Sequence, residues 1–422
     1  MDEGSSLPIE VHLLRKGMFV RLDLGWMDHP FPRNSFKITT DDQLQTIRSL
    51  GLQTVRYFPD RSDPEPAAME RETLAAPAVA APPDDPEAEA RARKAELLAA
   101  QREQLAACER QFTDVARGYR RVAEDVLHKP MLARQASEEL VGRCVEELID
   151  NGESVIRLLS ESVGERSAQH PVNVMAVSLL LGQALGMERG PLEQLGLAAL
   201  LHDVGKSELP DRFRVCEDSF SAAEMRLYQE HVPRGVGIAR RMGLGAEAVA
   251  GIAEHHEMVD GSGFPLRLTG ERMALCGKIL SLVNRYDNLC NPARHAVAVT
   301  PHEALSAIFA QMKARFDPTV LSAFIRMMGV YPPGSIVQLV DERFALVVSV
   351  NPARPLRPRI IVHDPAVPAV DALVMDLEGR PDLGIRRSLR PAQLPKAALD
   401  YLSPRTRVCY YFERAVYVGE IV

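Results

Sequence analysis

Apolar positions along this chain change their period three times, and each change predicts a different kind of structure. In residues 1–59 they alternate. Ile9-Glu10-Val11-His12-Leu13 and Met18-Phe19-Val20-Arg21-Leu22 follow the two-residue period of strands, with Gly17 between them. Thr40 or Asp41 caps a helix that runs to about Leu50 and ends at Gly51, and Thr54-Val55-Arg56-Tyr57-Phe58 reads as the next strand. This small α/β module shows no catalytic cluster, and the lone Trp26 reads as a core residue. Periodicity is then lost over residues 60–87, where Pro64, Pro66, Pro77, Pro82, Pro83 and Pro86 stand among alanines and acidic residues; this is a linker.

A long helix is predicted over residues 88–128. Leu98, Leu105, Phe112, Tyr119 and Val126 recur every seven residues, and Cys108, Val115 and Val122 fill the seam between them. Gln101 interrupts the seam and Gly118 weakens the helix. Two outcomes fit this stripe equally: a coiled coil with a second copy of the chain, or an amphipathic helix packed on its own domain. From 130 to 330 a helical period dominates, with breaks at Gly164, Gly186, Gly190 and Gly261 to Gly263. From 331 to 422 strands return, at Gly334–Val340, Phe344–Val350 and Thr406–Phe412. The expected architecture is multidomain: an all-α helical domain, a small N-terminal α/β module and a C-terminal β-rich appendage.

The net charge of −7 argues against a general nucleic-acid polymer binder, and no apolar run reaches the ~20 residues of a membrane span. Six cysteines at 108, 144, 216, 276, 290 and 409 are scattered without CxxC spacing, which fits a reducing cytoplasm and indicates neither a zinc ribbon nor a disulfide framework. The first residues lack a basic-apolar signal sequence.

The chemistry gathers around Leu200-Leu201-His202-Asp203-Val204-Gly205-Lys206. Leu192, Leu195, Leu197, Leu200 and Leu201 predict a buried helix, at whose end an unpaired His-Asp pair would be costly. A divalent metal is a suitable partner, and Lys206, three residues past Asp203, is placed to meet an anion on it. A second pair, His363-Asp364, ends the β-like run Arg359–Val362 and reads as a strand end. The first pair differs in its company. Five of the eleven histidines, His170, His202, His231, His255 and His256, share one segment, and Asp287 follows. With Asp203 these make seven nitrogen and oxygen donors and no cysteine, a set suited to Fe, Mn, Ni or Zn. Seven ligands exceed one ion and suit two that share a carboxylate, for which Asp203 is the natural bridge. Two-metal sites support in-line displacement at phosphorus by a bridging hydroxide.

Five pieces carry a family resemblance: Gln169-His170-Pro171-Val172-Asn173-Val174, Leu201–Lys206, His231-Val232-Pro233-Arg234-Gly235, His255–Pro265 and Tyr286-Asp287-Asn288-Leu289. In order and spacing they resemble the HD-GYP family of metal-dependent phosphohydrolases, and the N-terminal region looks like a module of unassigned function often found ahead of such domains. The resemblance implies hydrolysis of cyclic di-GMP to linear pGpG, and onward to GMP. It implies that the seven donors are metal ligands, that Lys206 contacts substrate phosphate, and that Asp260, Gly261, Gly263 and Pro265 form the signature loop. The family's Gly-Tyr-Pro is Gly263-Phe264-Pro265 here, and Met258-Val259 replaces the usual basic and apolar or aromatic pair. Of the family's stretch after the last metal Asp, only Arg294 could substitute. A third metal would need a carboxylate near His170. Glu165 is nearby, but Arg166 stands one turn before His170, so two divalent ions are expected, Fe or Mn before Ni or Zn. The expected activity is a cytoplasmic cyclic di-GMP phosphodiesterase. The alternatives are a weakly catalytic receptor or scaffold binding a diguanylate cyclase, or a phosphohydrolase for another nucleotide. A homodimer through the long helix is the further partner expected.

Overall fold

The computed structural model describes residues 6–22, 31, 34–50, 52, 54–63, 86–150, 154–160, 163, 166–217, 219–292 and 298–414. Gly51, Trp26, Gly164, Glu165, Arg294 and the linker from 64 to 85 lie outside them. The chain divides into two compact units, Met1–Asp84 and Asp85–Val422.

In the first unit, strands β1 (Leu7–Glu10), β2 (Phe19–Arg21), β3 (Ser35–Lys37) and β4 (Thr54–Tyr57) form an antiparallel sheet in the order β1-β4-β2-β3. Helix α1 (Asp41–Ser49) starts at Thr40, whose side chain accepts from the Gln43 N–H while Gln43 reaches back to the Thr40 N–H. This reciprocal cap fixes the helix start. Val20, Leu22, Ile38 and Ile47 make its small core. The run Val11–Leu13, which alternates like a strand, is a 3-10 turn instead.

The second unit opens with α2 (Pro86–Asp125) and α3 (Pro130–Asp150), then β5 (Ser154–Leu158), α4 (Arg166–Ala184) and α5 (Arg189–Leu201). Helices α6 (Ala222–Gln229), α7 (His231–Met242), α8 (Ala246–Glu254), α9 (Leu275–Cys290), α10 (Pro301–Gln311) and α11 (Pro318–Met328) follow. Then come β6 (Ile336–Leu339), β7 (Phe344–Val350), β8 (Arg359–Val362), β9 (Val374–Asp376), β10 (Ile385–Leu389), α12 (Lys396–Leu402) and β11 (Tyr410–Arg414). Seven of these strands form one antiparallel sheet, with the path β10-β6-β7-β5-β11 and with β8 and β9 continuing from β7.

The fold class expected from the sequence holds: a mostly helical domain, a small module with a sheet, and a C-terminal sheet region. The sheet nevertheless takes β5 from the stretch read as helical, between β7 and β11. Every residue of β5 is buried, and its partners lie more than 190 residues away in β7 and more than 250 away in β11, so no local pattern announces it. The C-terminal strands share one continuous apolar core with the helices.

The heptad stripe of α2 is covered by its own chain. Cys108, Phe112, Val115, Val122 and Val126 are buried against α3, α4 and β11, and Phe112 meets Tyr411 edge-on at 6.3 Å. Gln101, the polar interruption, exchanges hydrogen bonds of 3.1 and 2.9 Å with the Val374 backbone. The stripe is thus the amphipathic-helix alternative, and the coiled-coil seam to a second copy is corrected: from Cys108 to Val126 that face is occupied. Phe112→Leu should cost about 1 kcal/mol of stability in urea melts and leave the sedimentation coefficient unchanged. A shift in oligomeric state on this substitution would restore the seam.

Candidate metal centre

Helix α5 is apolar nearly all round and buried, so its C-terminal end delivers His202 into the interior with no exposed surface. The chain then tightens into a 3-10 turn, Val204–Glu208, closed by the Lys206 N–H donating to the Asp203 carbonyl at 2.9 Å. That turn brings the Lys206 ammonium back to Asp203 Oδ2 at 2.6 Å. His170 comes from α4, His231 opens α7, and His255 and His256 follow the last turn of α8.

Two groups of donors form around Asp203: His170 with His202, and His231 with His255 and His256. Within each group one ligand atom per residue lies within 4.8 Å of all the others. The proton positions follow from the partners. His202, His231 and His255 each place Nδ1 at 2.6 to 2.7 Å from a backbone carbonyl three residues earlier, those of Ala199, Tyr228 and Ile252. A carbonyl only accepts, so Nδ1 carries the proton and Nε2 presents a lone pair. His170 Nδ1 faces the Asp287 carboxylate at 2.6 Å, with the same consequence. Nε2 of His170 then faces Nε2 of His202 at 3.1 Å, and Nε2 of His231 faces Nε2 of His255 at 3.3 Å. Two lone pairs at that distance repel unless a cation lies between them or beside them. The first pair converges on Asp203 Oδ2 at 3.6 and 3.4 Å, the second on Oδ1 at 3.6 and 3.8 Å. Asp203 Oδ1 and His256 Nε2 are buried without hydrogen-bond partners. The residues present therefore fit a metal centre, with Asp203 turned towards both groups of imidazoles.

Burial alone would raise the Asp203 carboxyl, but Lys206 and then His202 outweigh it and hold it well below its ordinary value. Burial pushes the His231 imidazole down to about 4 against the pull of Asp203. His255 and His256 are driven well below the ordinary 6.5, first by burial and then by the neighbouring imidazoles. Between about pH 6.5 and about pH 4 the unfolded chain protonates these imidazoles and the folded chain does not. Stability then rises with pH, is complete above the unfolded value and is lost as pH falls towards the folded one. The melting temperature of chelator-treated protein should drop through this window in calorimetry; a flat profile would mean the three rings are not buried and neutral.

The signature loop sits against the second group. A Cβ on Gly263 would lie 2.5 Å from Glu257 Cα and Met258 N, so only glycine lets the loop close on the chain behind His256. Gly261 adopts a φ of 76°, and the Asp260 carboxylate accepts from the Ser262 N–H and hydroxyl in the same turn. Phe264 stacks on the His256 ring at 4.5 Å, and Pro265 follows it. Glu257, which sequence reasoning passed over, is fully buried and accepts from the backbone N–H groups of Leu266, Arg267 and Leu268. Its two oxygens hold the loop together.

Asp287 lies outside both groups, behind His170. Its Oδ1 accepts from the side-chain amides of Asn173 and Asn291. Both asparagines also bond the chain entering β11: Asn291 at Val408 N and O, and Asn173 at Tyr410 N. The C-terminal sheet region thus anchors the partners that orient a histidine, a support that commonly tunes metal sites. Asn173 stands three residues after His170 in the quoted motif, a helical spacing that could have flagged it. Nothing in one dimension points to Val408. Lys206 lies under the Tyr228 ring at 5.6 Å, beside Asp203 as expected. The control pair behaves as a strand end: the His363 N–H donates to the Phe344 carbonyl, and Asp364 caps a turn through the Ala366 N–H.

Residues 143–320 match the family described as HD domain, and residues 6–136 match a domain of unknown function, DUF3391. The chain is 29% identical over 365 residues to the cyclic di-GMP phosphodiesterase PA4108 of Pseudomonas aeruginosa, covering 84% of each chain. It is 28% identical over 186 residues to the 3'3'-cGAMP-specific phosphodiesterase 2 of Vibrio cholerae, covering 42% of this chain and 35% of that one. Among solved structures, Bd1817, described as an HDG"Y"P protein of Bdellovibrio bacteriovorus, aligns with a TM-score of 0.41 at 17% identity, over 76% of this chain and 98% of that one. Among the described residues no helix is long and apolar enough to cross a membrane. The chain thus carries an HD domain, residues 143–320, set behind a DUF3391 domain, residues 6–136.

Proposed function

We propose that this protein is a cyclic di-GMP phosphodiesterase producing linear pGpG, with GMP as the product of a second cleavage. The observation that carries the reading is the pair of facing imidazoles on each oxygen of Asp203. His170 and His202 would hold one ion, His231, His255 and His256 the other, and Asp203 both. Asp287 adds charge to the first group and orients His170. Nitrogen and oxygen donors without thiolate favour Fe or Mn, with Ni or Zn next. When bound, such ions polarise phosphoryl oxygens and lower the pKa of water. Asp203 keeps its negative charge, and the Lys206 ammonium, already at the bridge, donates to a substrate phosphate oxygen. Asp260, Gly261, Gly263, Phe264 and Pro265 shape the wall beside His256. The setting is the cytoplasm, consistent with six free thiols, five of them buried.

The 28% identity to a 3'3'-cGAMP-specific enzyme favours a second reading, hydrolysis of that dinucleotide by the same site. The test is hydrolysis of both dinucleotides by anaerobically purified, metal-analysed protein, with the products identified. A metal-loaded protein that binds cyclic di-GMP and cleaves neither would be a receptor. Phe264→Tyr keeps the ring that stacks on His256 and adds one hydroxyl. It should change turnover by no more than about tenfold, the worth of one hydrogen bond. If wild type is inert with metals bound and this substitution alone restores strong hydrolysis, the hydroxyl is catalytic.

A further inference from the structure

Beside the metal centre lies a cavity of about 310 Å³ lined by His170, Asp203, Lys206, Arg214 and, from α2, Tyr119 and Arg120. Helix α2 ends before the HD match begins at residue 143, and both residues fall in the region matched by the domain of unknown function. Tyr119 belongs to the heptad stripe that buries Phe112 and Val126, yet it is only partly buried and lines the cavity. Gly118 lets α2 come this close: a Cβ there would lie 2.6 Å from Leu140 Cδ2 on α3. The Tyr119 hydroxyl makes no hydrogen bond to any described residue. Burial, and then the negative charge of Asp203, raise its pKa, so it stays a protonated donor. Tyr119 thus brings a neutral donor to a cavity whose lining also carries the cations of Lys206, Arg120 and Arg214, and the one carboxylate there, Asp203, is already taken by Lys206 at 2.6 Å.

We propose that Tyr119 is a substrate-binding residue whose hydroxyl donates to a non-bridging oxygen of the phosphate that Lys206 also meets. The proposal rests on the phosphodiesterase reading for the identity of the substrate, and on the cavity alone for the phosphate. It gives the helix leading into the HD domain a direct part in the site.

The test is Tyr119→Phe in the full metal-loaded chain, which keeps the ring and its packing. Metal content, melting temperature, inorganic phosphate binding by calorimetry, and hydrolysis of cyclic di-GMP and of bis(p-nitrophenyl) phosphate are compared with wild type. The expected result is unchanged metal content and melting, with phosphate affinity and kcat/KM on both esters each lower by about ten- to a hundredfold, the worth of a hydrogen bond to a charged acceptor. Unchanged phosphate affinity and rates overturn the proposal. A loss confined to the dinucleotide, with phosphate affinity intact, also overturns it, because the hydroxyl would then touch sugar or base. If wild type cleaves neither ester, the phosphodiesterase reading fails, and phosphate calorimetry still decides the role of Tyr119.

Discussion

Asp203→Asn should lose bound metal and phosphodiester hydrolysis together, by about a thousandfold or more in rate, while the helical fold survives. The size follows from position. One carboxylate serves both groups, with Oδ2 facing His170 and His202 and Oδ1 facing His231 and His255. An amide of the same shape removes the charge and turns one oxygen into an N–H donor aimed at imidazole lone pairs. Metal-derived stabilisation is worth several kcal/mol in a transition state, and each 1.36 kcal/mol is a factor of ten. The elements around the site are held by apolar packing, so circular dichroism should be unchanged. Full metal occupancy at wild-type turnover in the variant would remove Asp203 from the bridge and with it the two-ion assignment.

Gly205→Ala should be the most damaging one-carbon change in the catalytic unit. A Cβ at 205 would lie 1.9 Å from the His231 carbonyl oxygen and 2.4 Å from Gly235 N, both backbone atoms of α7 that no rotamer can move. The turn 204–208 and α7 would have to part. His231 would leave Asp203, and overpacking of backbone on backbone should cost about 3 kcal/mol or more. The expected result is a lower urea midpoint together with loss of metal from the His231 group. Gly142→Ala is the control: in α3 nothing lies within 4 Å of the added carbon, and removing a helical glycine should stabilise by about 0.5–1 kcal/mol. A Gly205→Ala protein with wild-type stability and metal content would show that the turn does not touch α7 as described.

By itself the sequence determined the candidate donors of the site and most of the helices that carry them. The leucines before His202 define α5, Thr40 marks the start of α1, and His170, His202, Asp203, His231, His255, His256 and Asp287 stand out as candidate donors by residue type and spacing, although Asp287 lies outside both groups in the fold. These are local properties: side-chain period, caps and ligand chemistry act over a few residues and can be read without neighbours. The tertiary structure alone decided how the donors divide. It paired His170 with His202 and His231 with His255 across 32 and 24 residues, and it set Asp287 behind His170 under two asparagines held by the chain at Val408. It also decided what covers the stripe of α2. Seven-residue spacing states that a face is apolar and leaves its partner open, because the burial of Phe112 depends on α3, α4 and β11 arriving from elsewhere in the chain. Strand β5 escaped for the same reason: five buried residues gain their hydrogen bonds only from β7 and β11, and a pairing over such separations leaves no period in the segment itself.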